Sequence, residues 1–237
     1  MTDLKQEYFG FRNTVSVFAR FFAETFKYSA LEFFSTGESH ELMQKWSKKT
    51  LDILGVNLTI KGLENISYDK PQIFCANHQS NVDAFIMNVA VPVKFYWIYK
   101  HTLNFVPLAG QFLLRNGHIP INRGNRTKAI ESIRQAGELV KLGKNVVIFP
   151  EGTRSGKAQM NPFKKGAFWL ARESGVPIIP VSIENSWKLM KKHSMKLASS
   201  PVSVTFHPPI ETGNMEVDEL LATVQYSIGQ GLEGYNS

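Results

Sequence analysis

A single cysteine, Cys75, in a chain of 237 residues excludes an intramolecular disulfide and suits a reducing, cytosolic setting. It sits in the apolar run Gln72–Ala76, which reads as a buried strand, so a small core residue explains it better than a nucleophile. Long apolar runs are missing too. Charges break every candidate before the roughly 18–20 residues that span a bilayer, and the N-terminus lacks a signal peptide's unbroken apolar core and cleavage site. No spanning helix is expected. Zinc-type Cys/His spacing, a phosphate-binding glycine loop and a dinucleotide glycine fingerprint are all absent, which leaves no metal and no tightly bound cofactor to expect. Internal repeats and low-complexity segments are lacking as well. Acidic residues are in deficit: 20 Asp and Glu against 27 Lys and Arg give a net charge of +7. That balance favours nucleic acid, acidic lipid or a phosphorylated substrate, and is equally compatible with a lysine-rich soluble surface.

The length accommodates one large α/β domain with an appended element. Residues 1–55 are that element. Phe11, Val15, Phe18, Phe22 and Phe26 recur at helical spacing, and Phe33 and Phe34 extend the aromatic bias, with Arg12, Arg20 and Lys27 interspersed. Ser35-Thr36-Gly37-Glu38 has capping-box spacing, and a second helix follows with Leu42, Met43, Trp46, Ile53 and Leu54 apolar and Lys45, Lys48 and Lys49 basic. Gly55 supplies a stop. This amphipathic helical hairpin suits either a membrane interface or packing against its own domain.

Residues 56–237 alternate between the two structural periods. Strands are expected at Val56–Lys61, Ile73–Ala76, Val93–Tyr99, Gly117–Ile121, Val146–Phe149, Val176–Ile183 and Val202–Phe206. Helices are expected at Val82–Val89, around Pro107–Leu114, at Arg126–Leu142 through Ile130, Ile133, Ala136, Leu139 and Val140, at Phe168–Glu173 and at Met215–Ile228. The fold class is α/β: a central, partly parallel sheet flanked by helices, with the N-terminal hairpin added.

Two short stretches carry chemistry. Asn77-His78-Gln79-Ser80-Asn81-Val82-Asp83 places a histidine at the end of a strand and a carboxylate five positions on, in the first turn of the next helix. A neutral imidazole is matched to taking a proton near neutral pH, and Asp83 is placed to hold its other nitrogen. By itself the spacing also fits a structural histidine. The second stretch, Phe149-Pro150-Glu151-Gly152-Thr153-Arg154-Ser155, follows a buried strand, where α/β proteins place their sites. Arg154 can grip a phosphate bidentately, Glu151 can accept from hydroxyls, and Gly152 permits close backbone approach; a surface turn with a salt bridge is the alternative. Arg123 and Lys100 end two further apolar strands, and Lys164 and Lys165 lie near the same edge. His101, His118 and His193 have no partner pattern, and His207-Pro208-Pro209 reads as a strand exit.

Taken together these residues resemble the 1-acylglycerol-3-phosphate acyltransferase (lysophosphatidic acid acyltransferase) family of glycerolipid acyltransferases, over roughly residues 55–185. The His-x4-Asp block is Asn77-His78 through Asp83. An arginine after a short β segment is Gly117–Arg123, with Pro120 and Asn122 departing from the commonest residues. The third block is Phe149–Ser155, and the proline-bearing strand is Val176–Val181. The resemblance implies that His78 is the general base on the acceptor hydroxyl and that Asp83 orients it. The acyl donor is a thioester of acyl-carrier protein or coenzyme A, with no covalent acyl-enzyme. Arg123 and Arg154 bind the acceptor phosphate with Lys100 assisting, Glu151 and Gly152 help place the glycerol, and Thr153 is a further substrate-binding residue. It further implies a peripheral protein on the cytoplasmic face of an anionic membrane, docked by the hairpin, making phosphatidic acid in phospholipid biosynthesis. An acyl tunnel should start near His78, with Phe85, Ile86 and Met87 as candidate lining or core. A lyso-ornithine lipid or another lysophospholipid is the alternative acceptor; a thioester hydrolase and a basic lipid-surface module are the alternatives outside acyl transfer. Nucleic acid is not expected, because the cations sit at scattered strand ends.

Overall fold

The computed structural model describes residues 10–34, 39–107, 109–122, 124–190, 197–213 and 215–235. The expected capping box at residues 35–38, Arg123 and His193 lie outside them.

Seven strands form one sheet: β1 (Asn57–Lys61), β2 (Ile73–Ala76), β3 (Phe95–Lys100), β4 (Ile119–Ile121), β5 (Asn145–Ile148), β6 (Ile178–Glu184) and β7 (Pro201–Phe206), in the order β1-β7-β6-β2-β5-β3-β4. β6, β2, β5, β3 and β4 are mutually parallel. β7 is antiparallel to β6 and parallel to β1, so these two strands run against the other five. The central strands are buried on both faces, which is why Ile73–Ala76 and Val146–Ile148 read as unbroken apolar runs.

Alternation along β2 splits the core in two. Phe74 and Ala76 face a cluster built with Met43 and Leu51 of α2 (Ser39–Ile53), Leu54 just after it, and Ile86 and Met87 of α3 (Asp83–Ala90). Ile73 and Cys75 face the opposite cluster, with Ala136 and Val140 of α5 (Arg126–Lys141), Phe168, Leu170 and Ala171 of α6 (Gly166–Ser174), and Leu220, Val224 and Ile228 of α7 (Val217–Gln230). Cys75 is therefore core, and burial pushes its thiol pKa well above the usual range.

α1 (Phe11–Phe34) and α2 form the helix pair, and α2 is bonded into the sheet's cover. Asn88 Nδ2 donates to Ser47 Oγ at 2.8 Å, the Trp97 indole donates to Asn88 Oδ1 at 2.9 Å, and Gln44 Nε2 donates to the Val91 carbonyl at 3.2 Å. α1 lies on α2 through Trp46 Nε1, which donates to Thr25 Oγ1 at 3.2 Å, and through Phe21, which stacks on Trp46. The expected aromatic stripe thus divides. Phe18 packs toward the core, while Val15, Phe22 and Phe26 face outward, Phe22 64% and Phe26 69% exposed.

Two boundaries differ from expectation for local reasons. The helix after β3 starts at Ala109, so α4 is Ala109–Arg115, since the chain first makes a short 3-10 turn over His101–Phe105. β4 is only three residues long because His118 does not extend it: its Nδ1 accepts the Trp97 backbone N–H at 3.0 Å, taking the place of a ladder bond.

Candidate active site

Parallel pairing brings the C-terminal ends of β2, β5 and β3 to one edge, and the residues just beyond them form the site. Asn77 ends β2 by continuing its pairing with side-chain atoms: Nδ2 donates to the Ile183 carbonyl at 2.9 Å and Oδ1 accepts the Ile183 N–H at 2.7 Å. The backbone can therefore turn away from the sheet at His78 without leaving a buried group unpaired.

His78 Nδ1 lies 2.7 Å from Asp83 Oδ2. That oxygen also accepts the backbone N–H groups of Gln79 at 2.7 Å and Ser80 at 2.8 Å, which commits it as an acceptor. Nδ1 must then carry the proton, and Nε2 keeps its lone pair. Asp83 opens α3, where the helix dipole favours a carboxylate, and is fully buried. The ring lies flat on Phe149, with centroids 4.2 Å apart and planes 9° from parallel, and Phe149 stacks on Trp97 in turn.

The peptide of His78 is held from both sides by the loop after β5. Its N–H donates to Glu151 Oε1 at 2.6 Å, and its carbonyl accepts from Ser155 N at 2.8 Å; Gly156 N donates to the Gln79 carbonyl at 3.1 Å. Glu151 Oε2 accepts the Asn161 N–H at 2.8 Å. Glu151 is thus only 2% exposed with both oxygens on backbone donors. Burial pushes its pKa up to about 7, the Asp83 charge adds to this, and the two backbone N–H groups oppose it. Gly152 takes φ +73° in the turn closed by its N–H to the Phe149 carbonyl, a conformation that glycine adopts without strain.

A cavity of about 500 Å³ starts at His78. Gly152, Thr153, Arg154 and Lys100 line it there, so four expected substrate residues meet around the histidine. Glu151 lies behind them, and Arg123 falls outside the described residues. The volume then runs between the helices, past Phe85 of α3, Trp46 of α2, Thr25 and Tyr28 of α1 and Phe112 of α4. Phe85 borders it, whereas Ile86 and Met87 are core. Its size suits a lipid-sized ligand, and its lining is mostly apolar.

The acyltransferase family profile matches residues 57–184. The chain belongs to the acyltransferase family. Within that family, a 1-acyl-sn-glycerol-3-phosphate acyltransferase of Cocos nucifera is 34% identical over 169 residues, 71% of this chain and 54% of that protein. One from Limnanthes alba is 32% identical over 169 residues, covering 71% and 59%. The chain spans little more than half the length of such curated relatives. The crystal structure of the 1-acyl-sn-glycerophosphate (LPA) acyltransferase PlsC from Thermotoga maritima matches with a TM-score of 0.80 at 25% identity, covering 93% of this chain and 95% of that one. The likeness spans the sheet, its covering helices and the helix pair.

Three features of this site escaped the sequence. The anchoring of Asn77 on Ile183 spans 106 positions and that of Glu151 on His78 spans 73, with no periodicity to reveal either. Phe149 under the imidazole sits inside a block that was legible, but its stacking role was not.

Proposed function

We propose that this chain transfers an acyl group from a thioester to the free hydroxyl of 1-acylglycerol-3-phosphate at a membrane surface, giving phosphatidic acid. One observation carries the reading: a histidine oriented by a buried aspartate stands where an apolar, lipid-sized cavity meets Lys100 and Arg154. The names of the similar proteins support the choice of acceptor.

The chemistry follows from the tautomer. Nε2 removes the hydroxyl proton as the oxygen attacks the thioester carbonyl carbon. The carbon–sulfur bond breaks, the new ester forms, and the imidazolium returns its proton to the leaving thiolate. Asp83 stabilises the imidazolium and keeps the ring from turning. Arg154 and Lys100 hold the acceptor's phosphate, and Gly152 and Thr153 present backbone and hydroxyl to the glycerol. Arg123 joins them in this reading. Glu151 acts through the peptide it grips, fixing the height of His78 over Phe149. The acyl chain lies along the cavity under Phe85 and Trp46. The donor is acyl-carrier protein or coenzyme A carrying the acyl group.

The outward ridge of Val15, Phe22 and Phe26 on α1, with Arg12, Arg20 and Lys27 on the same helix, supports docking on an anionic leaflet. No helix among the described residues is long and apolar enough to cross a membrane.

The test is purified protein, both donor types, and acceptors with and without a phosphate, alongside His78→Ala. Transfer should require the phosphate-bearing lysolipid and fall about a thousandfold in the variant, with vesicle association kept. Undiminished transfer by His78→Ala, or thiol release that ignores the acceptor, would overturn the proposal.

A further inference from the structure

Among the described residues, the most exposed large apolar side chain outside the helix pair is not on the packed back of the sheet but in the turn that reaches the cavity through Leu103. Phe105 is 82% exposed, and Leu103 and Val106 of the same turn and Leu114 on α4 are exposed as well. Leu103 also lines the cavity, together with Lys100 and Thr153. Residues that both line a cavity and face solvent mark where it opens, so this cluster borders the entrance.

The end of α4, which carries Leu114, also sits against α1. Asn116, just after α4, donates from Nδ2 to Glu32 Oε1 at 3.0 Å, and the Arg115 guanidinium lies 5.0 Å over the Phe33 ring. Thr25 and Tyr28 of α1 line the same cavity as Leu103, Phe112 and Leu113. The outward aromatics of α1 and the Leu103–Val106 turn therefore flank one opening.

Charge adds a second, independent pointer. Lys100 lines the cavity with Leu103, Arg115 follows Leu114 at the end of α4, and the sequence has no Asp or Glu between Asp83 and Glu131. Exposed aromatic and aliphatic tips within a purely cationic stretch match a bilayer interface rich in anionic headgroups, where rings enter the headgroup layer and cations stay above it.

We propose that Leu103, Phe105 and Val106, with Leu114 of α4, form a second lipid-inserting element that enters the same leaflet as α1. The cavity then opens directly onto lipid, and a lysolipid reaches His78 by sliding out of the leaflet without crossing water. This deepens the acyltransferase reading and rests on it for the identity of the lipid that enters.

The test places a polarity-sensitive fluorophore on Phe105→Cys in the full chain. The native Cys75 is fully buried, so the label goes to the new site. Vesicles containing phosphatidylglycerol should shift the emission to the blue. In unlabelled protein, Phe105→Ser with Val106→Ser should lower vesicle partitioning about tenfold and slow transfer to vesicle-borne acceptor in step. The rate on a dispersed short-chain acceptor should stay within twofold. Trp169→Ser, an exposed aromatic on α6 across the sheet, should change neither. Unshifted emission on vesicles that do bind the protein would overturn the proposal, as would a shift with acyl-carrier protein in the absence of lipid. The fluorescence readout needs no turnover, so a failed acyltransferase assay leaves it standing.

Discussion

The side of the sheet under α5, α6 and α7 is filled by side chains that touch one another, whereas the side under α1 to α4 encloses about 500 Å³ beside His78. The filled side is held by apolar contact: Phe168, Leu170, Val224 and Ile228 are fully buried. The hollow side has apolar core too, in Phe74, Ile86 and Met87, but the walls of the cavity itself cannot be held that way, because the atoms that would touch across it are missing. It is held at its rim by buried polar pairs, Trp97 with Asn88, Asn88 with Ser47 and Trp46 with Thr25. The site itself follows the second plan, with Asn77, Asp83 and Glu151 each buried and each bonded to backbone. Hydrogen bonds fix direction where packing fixes only distance, so the reacting imidazole is aimed by polar groups and the cavity is kept open by them.

The largest expected effect tests that aim. Asp83→Asn keeps an acceptor oxygen and the side-chain volume but can present an amide N–H to Nδ1, favouring the tautomer whose proton sits on Nε2. Turnover should fall about a thousandfold while vesicle binding stays unchanged. A variant that keeps its rate would show that the hollow side needs no polar orientation at the histidine.

Next in size is a pH effect at the site itself. Glu151 holds its proton up to about pH 7 in the folded chain, against 4.5 ordinarily. Between those values the folded state binds more protons than the unfolded one, so this group's contribution to stability is fully present below about pH 4.5 and is lost as pH rises toward 7. The loss amounts to about 3 kcal/mol. Buried His118, whose pKa is lowered to about 4, works in the opposite sense over an overlapping window, because there the unfolded state binds the extra proton. Subtracting the denaturation curves of Glu151→Gln from those of the parent isolates the glutamate. A difference that does not change with pH would place the carboxylate in contact with solvent.

Legibility in the sequence follows the same division. Strands β2 and β5 and helix α5 were readable because burial on both faces, or on one stripe, leaves a periodic trace. The His78–Asp83 pair was readable because its partners lie within one turn. Glu151 and Asn77 act on backbone groups far along the chain, and a backbone donor looks alike at every position. The α1 stripe was legible as helical, but not which of its residues pack inward: Phe18 does, with Phe21 onto Trp46 and Phe85, while Phe22 and Phe26 face outward. The reversed direction of β1 and β7 left no local mark, since both directions leave one face of these two strands buried.

The smallest effect is a difference, about 2 kcal/mol, between similar cuts made on the two sides, and it bears on the comparison most directly. Leu170→Ala removes a fully buried side chain from the filled side, where neighbours cannot collapse, and should cost about 3 to 4 kcal/mol. Turnover per folded molecule should not change, since α6 contributes nothing to the cavity. Phe85→Ala deletes a larger group, yet one face of that ring already borders empty volume. Its loss forfeits mainly the edge contacts with Trp46, centroids 5.1 Å apart, and with Phe21 at 6.0 Å. The cost should be only about 1 to 2 kcal/mol. What changes instead is the shape offered to an acyl chain, so the profile of rate against chain length should move toward longer donors. Chemical denaturation and a donor series read the two quantities separately. Equal destabilisation by both cuts, with an unmoved chain-length profile, would mean that the hollow closes in solution and that the two sides of the sheet are packed alike.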